Sequence, residues 1–351
     1  MKETNIIIVG NGLAGTLLSY LIRTDNIPHI VISDSKIPSA SAVSAGMINP
    51  LVFKRITLSW QADKLIPFAY KFYKTFEDEF NCKIYTPRKI AKVISSEEEY
   101  NWWLQRINTQ NLKPYIDDFI DGKALQGVNN VYKFAIINNA AHVNINKIIP
   151  SYFSYANNED LLIKEEFEYS HINFTSNGVS YKNITAKKIV FCEGAHIVNN
   201  PYFNFIPFYL TRGDLIKVNI PELSTEYIVN KNKFILPIDN SYLFGSTYIP
   251  SIKPIANFVN DHYNTLKQSL SELLNVPYEI TEHTYGVRPT IKDRRPVLGH
   301  HPMHKQLYVF NGLGTKGAML APYFAHMAKE LLTKSNSVAD EALSINRFYS
   351  S

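Results

Sequence analysis

Cysteine is scarce in this chain, which has two, Cys82 and Cys192. Two isolated thiols cannot build a disulfide framework, and they lack the spacing of a metal or redox pair. The expected setting is therefore a reducing cytoplasm, with each thiol structural and buried. Long apolar runs are missing too: no stretch approaches the roughly 18 residues that span a bilayer. No transmembrane segment is expected, and peripheral membrane contact is left open. The apolar opening at Asn5 to Val9 is cut short by glycine and precedes no small-residue cleavage site, so it reads as a strand rather than a secretory signal. Without a signal, the Asn-x-Thr triplets at Asn173 and Asn183 carry no argument for glycosylation. Charge of one sign is not concentrated either. A net +5 over 351 residues is mild and lacks the basic stripe of a dedicated nucleic-acid binder; it suits a small anionic substrate. Internal repeats and low-complexity tracts are also absent.

What is present is a chain that is 45% hydrophobic, long enough to bury a sizeable core and to divide into two domains. Asn5 to Val9 ends in glycine, helical spacing follows through Leu17, Leu18, Leu21 and Ile22, and a second apolar run, His29 to Ile32, ends at Asp34. That is one strand-helix-strand unit of a parallel α/β sheet. Asp63 to Phe80 has helical spacing, whereas Lys83 to Val93 and Tyr132 to Ile137 read as strands. Lys188 to Cys192 is again a buried parallel strand, which returns the chain to the first domain. Tyr209 to Tyr248 alternates short β-rich runs with turns, as in an antiparallel sheet. Asn257 to Leu274 reads as a helix, Leu307 to Phe310 as a strand and Ala318 to Leu332 as a closing helix. The domains are interleaved.

The first chemistry-bearing motif is Gly10-Asn11-Gly12-Leu13-Ala14-Gly15, a G-x-G-x-x-G between the first strand and first helix. Gly10 permits the sharp turn, Gly12 lets a pyrophosphate approach the backbone, and Gly15 lets helix and strand pack closely. The helix N-terminus then faces the phosphates. Asp34 stands about 20 residues on, where a carboxylate can accept hydrogen bonds from ribose hydroxyls. This pattern predicts a dinucleotide cofactor and does not by itself separate NAD from FAD.

Further segments carry a resemblance. Ser39 to Pro50 (SASAVSAGMINP), Ile189 to Ala195 (IVFCEGA), the Arg212-Gly213 step, Gly286-Val287-Arg288-Pro289-Thr290 with Asp293 and Pro296 to Gly299, and Asn311 to Gly317 (NGLGTKG) occur in that order. Together they resemble the D-amino acid oxidase or glycine oxidase family of FAD enzymes. The resemblance implies an α/β fold: a discontinuous, glutathione-reductase-like Rossmann FAD domain (1–82, 140–210 and 282–351) with an antiparallel-sheet substrate domain (83–139 and 211–281). It implies FAD contacts at Gly10, Gly12, Leu13, Ala14, Gly15 and Asp34, at Ser44, Ala45 and Gly46, at Gly194, and at Gly312, Gly314, Thr315, Lys316 and Gly317. The late turn would present backbone N–H groups and a helix N-terminus to the flavin's pyrimidine carbonyl. FAD is expected to be noncovalent, because the late turn has no cysteine and the Ser39 to Pro50 segment no histidine.

The chemistry implied is hydride transfer to flavin N5 from the carbon bearing an amine, with a small amine or amino acid as substrate. Arg288 is the expected clamp on its carboxylate. Tyr209, Tyr242, Tyr248 and Tyr285 are candidates to line the pocket. Lys316 faces either the flavin or solvent. The sarcosine-type members place a lysine near flavin N5 to help oxygen, and the comparable Tyr242-Leu243-Phe244 has none, a departure that bears on oxidase activity. His300, His301 and His304 crowd one segment without a partner cysteine or carboxylate pattern, so no metal site is expected. Lys54-Arg55 reads as a solvated basic pair, and Trp60, Trp102 and Trp103 as helix packing. The alternatives are a tRNA-modifying flavoenzyme acting on carboxymethylaminomethyl uridine, in which Lys54-Arg55 meets phosphate, and a noncatalytic FAD-binding module.

Overall fold

A computed structural model of the chain describes residues 2–349 apart from 35, 37–38, 156–160, 177, 224, 256 and 335–339. Its first layer is a six-stranded sheet in the order Leu162–Ile163, His29–Ile32, Ile6–Val9, Lys188–Phe191, Leu307–Asn311 and Val297–His300. All neighbours are parallel except the last pair. The apolar run Ile6–Val9 is buried throughout because both sheet faces are covered, as a central parallel strand requires. Alternation along it feeds two cores. Ile6 and Ile8 face the helices Leu13–Thr24, Ala62–Phe80 and Gly317–Thr333. Ile7 and Val9 face Val179, Tyr181 and Ile184, which belong to a small sheet with the strands Ile172–Thr175, Gly178–Tyr181 and Ile184–Ala186. Cys192 is buried and Cys82 only half-buried; both are free thiols.

The second layer is a ten-stranded sheet. It is mixed rather than purely antiparallel, because Ile228–Asn230 runs parallel to Ile90–Lys92. A long crossover joins those two strands, which permits the parallel pairing. Its longest ribbon pairs Phe208–Asn219 with Glu279–Ile291 and sets Thr211 opposite Arg288 and Gly213 opposite Gly286. The boundaries expected at 139–140, 210–211 and 281–282 lie inside the continuous strands Lys133–Val143, Phe208–Asn219 and Glu279–Ile291.

Lys133–Val143 also pairs with Met47–Ile48, which stitches the serine- and alanine-rich segment to the large sheet. Gly46 makes the junction: a Cβ there would lie 1.8 Å from the Val143 carbonyl oxygen, at φ +60°. Only glycine fits that approach. A helix absent from the periodicity reading, Glu97–Thr109, is capped by Ser96, whose hydroxyl accepts from the Glu99 N–H at 3.1 Å while the Glu99 carboxylate accepts from the Ser95 N–H. That is a capping arrangement over a sequence too charged to show an apolar stripe. On it Trp103 is buried against Phe53, while Trp102 is 42% exposed.

Candidate active site

A cleft of about 730 Å³ runs from the glycine loop to the Arg288 strand. At its first end the loop sits between the strand Ile6–Val9 and the helix Leu13–Thr24. The three glycines differ in what surrounds them. A Cβ on Gly15 would lie 1.9 Å from the Gly10 carbonyl oxygen, so Gly15 serves packing and does not line the cleft. A Cβ on Gly12 would meet only the Ser41 and Ser39 hydroxyls, at 3.3 and 3.6 Å, and would otherwise project into the cleft. The Leu13 N–H at the helix start donates to the Ser41 hydroxyl at 2.9 Å. Ala14 and Asp34 border the same space, and the Asp34 carboxylate accepts from the Lys36 N–H.

The turns after the central and late strands meet this loop. The Asn311 side chain donates to the Gly194 carbonyl at 3.0 Å and accepts from the Gly312 N–H at 2.8 Å, tying the two turns together. Gly194, Gly312, Gly314, Thr315, Lys316 and Gly317 all line the cleft, as do Ser44, Ala45 and Gly46; the Ser44 hydroxyl accepts from the Gly46 N–H. Beside Gly194, the Glu193 carboxylate accepts from Tyr169 at 2.6 Å and from Asn200 at 2.9 Å. Burial pushes its pKa up to about 7 against the pull of those two bonds.

The far end is built from side-chain charge. The Arg288 guanidinium lies against Gly213, where any Cβ would collide with it, and donates to the Ser246 hydroxyl at 2.9 Å and the Thr247 carbonyl at 3.4 Å. Among the described residues it has no carboxylate partner, and burial lowers its pKa. The carboxylate nearest in sequence, Asp293, is taken by Arg347 at 2.8 Å. Behind it the arrangement is reversed. Arg212 is bound at two points by Asp214, at 2.6 and 2.9 Å, under the ring of Tyr285. Asp214 further accepts from Thr247 at 2.7 Å and lies 3.1 Å from His283.

Lys316 is half-buried on the cleft wall, and no acid among the described residues pairs with it. Its ammonium donates to the Asn49 carbonyl at 3.1 Å and the Ser59 hydroxyl at 2.6 Å, and burial brings its pKa down to about 8. Of the four candidate tyrosines, Tyr248 lines the cleft. Tyr242 instead donates to the Leu223 carbonyl, Tyr285 packs on Arg212 and His283, and Tyr209 is 58% exposed. Lys54 and Arg55 are exposed, with Arg55 at the cleft rim. His301 and His304 pack among Tyr202, Phe203 and Phe174. Trp60 stacks on Phe324 and borders the cleft. Sequence reasoning passed over Ser41, Asn49, Ser59, Ser246 and Asn311. Their partners stand far away in the chain, up to 267 residues for Asn49 with Lys316, so no local spacing announces them.

A two-faced parallel sheet with a glycine loop opening a helix, joined to a large sheet across one cleft, defines a nucleotide-cofactor oxidoreductase. The sequence model of the FAD dependent oxidoreductases (DAO) matches residues 5–331, and the chain belongs to that family. Its fold is similar to glycine oxidase from Geobacillus kaustophilus, at TM-score 0.82 and 19% identity over 97% of this chain and 98% of that one. It is likewise similar to iminodiacetate oxidase from Chelativorans sp., at 0.80 and 16% over 97% and 98%. An L-α-glycerophosphate oxidase from Mycoplasma pneumoniae, with FAD bound, aligns at 0.74 and 14% over 95% of both chains. The cofactor is FAD, and the cleft fits it: the open side of Gly12 and the empty space around Gly194 leave room for a group lying against the backbone. No helix among the described residues is long and apolar enough to cross a membrane.

Proposed function

We propose that this flavoenzyme oxidises a small amine or amino acid whose carboxylate is held by Arg288. The observation that carries this reading is a deep-set guanidinium on the cleft wall that makes no ion pair among the described residues, Asp214 reaching it only by longer-range attraction, in a molecule that pairs the neighbouring Arg212 completely. Ser246 and Thr247 occupy part of the donor fork and fix its orientation, leaving N–H groups for two parallel bonds to a carboxylate. FAD, when bound, accepts the hydride from the carbon bearing the amine. The chain supplies orientation. The cofactor contacts we assign are Gly10, Gly12, Leu13, Ala14, Asp34, Ser44, Ala45, Gly46, Gly194, Gly312, Gly314, Thr315, Lys316 and Gly317, with Gly15 acting through packing. The division into a discontinuous FAD domain and a substrate domain follows the same assignment. Attachment is noncovalent, since the late turn offers no cysteine; yellow colour retained in an acid-precipitated pellet would refute it.

Anaerobic mixing with glycine, sarcosine, proline and D-amino acids should bleach the flavin with at least one of them. Acetate or glycolate should perturb the flavin spectrum of the wild type and not of Arg288→Lys. Equal perturbation of both proteins would remove the clamp. A tRNA substrate is the second reading, supported by the exposed Lys54 and by Arg55 at the cleft rim; it requires steeply salt-dependent tRNA binding. DNA is not proposed as a partner. Two unbridged thiols support a cytoplasmic setting.

A further inference from the structure

Resting on the Arg288 reading and deepening it, we propose that the substrate is an amine bearing two carboxylates, with Arg288 holding one and Lys316 the other. The Lys316 ammonium is deep-set yet borders the cleft, and both groups it donates to, the Asn49 carbonyl and the Ser59 hydroxyl, are neutral. One of its three N–H bonds stays uncommitted. An ammonium taken out of water without a counter-ion is costly, and a bound anion offsets that cost. Arg212 meets Asp214, Lys329 meets Asp25 and Arg347 meets Asp293; Lys188 and Lys233, which donate to the Leu332 carbonyl and the Ser269 hydroxyl, stand outside the cleft, whereas Lys316 borders it.

Both cations border one compartment. Thr290 follows Arg288 by two residues on the same strand face, and its hydroxyl lies 3.6 Å from the Cβ position of Gly314, in the turn that ends at Lys316. The carboxylates lining the cleft, Asp34, Glu166 and Glu193, gather at the glycine-loop end, where the Glu193 backbone comes within 3.4 Å of the Gly10 Cβ position. None of them pairs with Arg288 or Lys316. Burial is the whole cause of the lowered Lys316 pKa, with no charged side chain contributing.

The test is an anaerobic titration of the flavin-loaded protein, read by flavin absorbance, with malonate, succinate and glutarate against acetate and propionate. At pH 6.5 the best dicarboxylate should bind roughly tenfold or more tighter than acetate, the scale of one added charge-assisted contact. A Lys316→Gln variant that retains flavin should erase that margin, losing dicarboxylate affinity by a larger factor than acetate affinity. In the wild type the margin should shrink as pH rises past about 8, which decides the matter even if the variant fails to retain flavin. Equal binding of mono- and dicarboxylates by the wild type overturns the second anion and leaves the Arg288 clamp standing. A margin that survives in Lys316→Gln overturns it too. If no carboxylate perturbs the flavin, the Arg288 reading falls and this one with it.

Discussion

The two ends of the cleft are made differently. Around the glycine loop the surface is backbone: glycines, a helix start and turns tied by Asn311, with carboxylates nearby that are hydrogen-bonded. Around Arg288 it is side-chain charge held by neutral partners, and the Lys316 turn reaches both ends, with Gly314 beside Thr290 and Gly317 beside Leu13. A backbone site depends on what cannot be there, such as a Cβ. A charged site depends on what has been left unpaired. Each end should therefore fail in its own way.

The largest effect is expected where backbone meets backbone. Gly15→Val puts carbon into the Gly10 carbonyl and should abolish folding, read as loss of soluble protein and of a cooperative melt. Gly12→Val should abolish flavin binding yet leave the apoprotein's Tm near wild type, because its side chain meets open cleft. If Gly12→Val keeps full flavin occupancy, the cofactor lies elsewhere.

At the charged end the paired and unpaired arginines separate. Asp214→Ala strands Arg212, a buried ion whose partner is removed, and should cost about 3–5 kcal/mol in denaturant unfolding. Arg288→Lys should leave Tm and flavin content nearly intact while kcat/KM falls by about 10²-fold, from loss of bidentate orientation. A drop in stability with unchanged kcat/KM would make Arg288 structural and collapse the contrast.

Asp34→Ala is a smaller change, weakening FAD by about 1.5–3 kcal/mol, the worth of hydrogen bonds to a charged acceptor; isothermal titration of apoprotein reads it directly. Per pH unit, the smallest effect concerns Glu193. Its pKa in the folded chain is raised by burial from 4.5 to about 7, so between those values the folded state holds a proton the unfolded state has lost. Stability should fall as pH rises through that window, by at most about 1.4 kcal/mol per pH unit for one proton. Glu193→Gln should flatten the slope of Tm against pH between 5 and 7. An unchanged slope would show that the carboxylate titrates normally.

Some of this was legible along the chain. The strand, loop, helix and strand from Ile6 to Ile32 show themselves because their signals are local: glycine spacing, period 3.6 and two short apolar runs. The ordered motifs from Ser39 to Gly317 carried the family. The strands Ile172–Thr175 and Gly178–Tyr181 and the helix Ile145–Tyr155, with Pro150 inside it, went unread because polar residues and proline interrupt their periodicity.

The amino-acid sequence by itself determined a dinucleotide loop and, through motifs in a fixed order, an FAD family. Both rest on residue types and spacings read along the chain. Only the tertiary structure decided that Gly15 packs while Gly12 faces the cleft, that Arg212 is neutralised while Arg288 is not, and that Lys316 ends against Asn49 and Ser59. Whether a charge is paired depends on which distant strand or turn folds beside it, and the six-stranded and ten-stranded sheets set that by closing around the cleft.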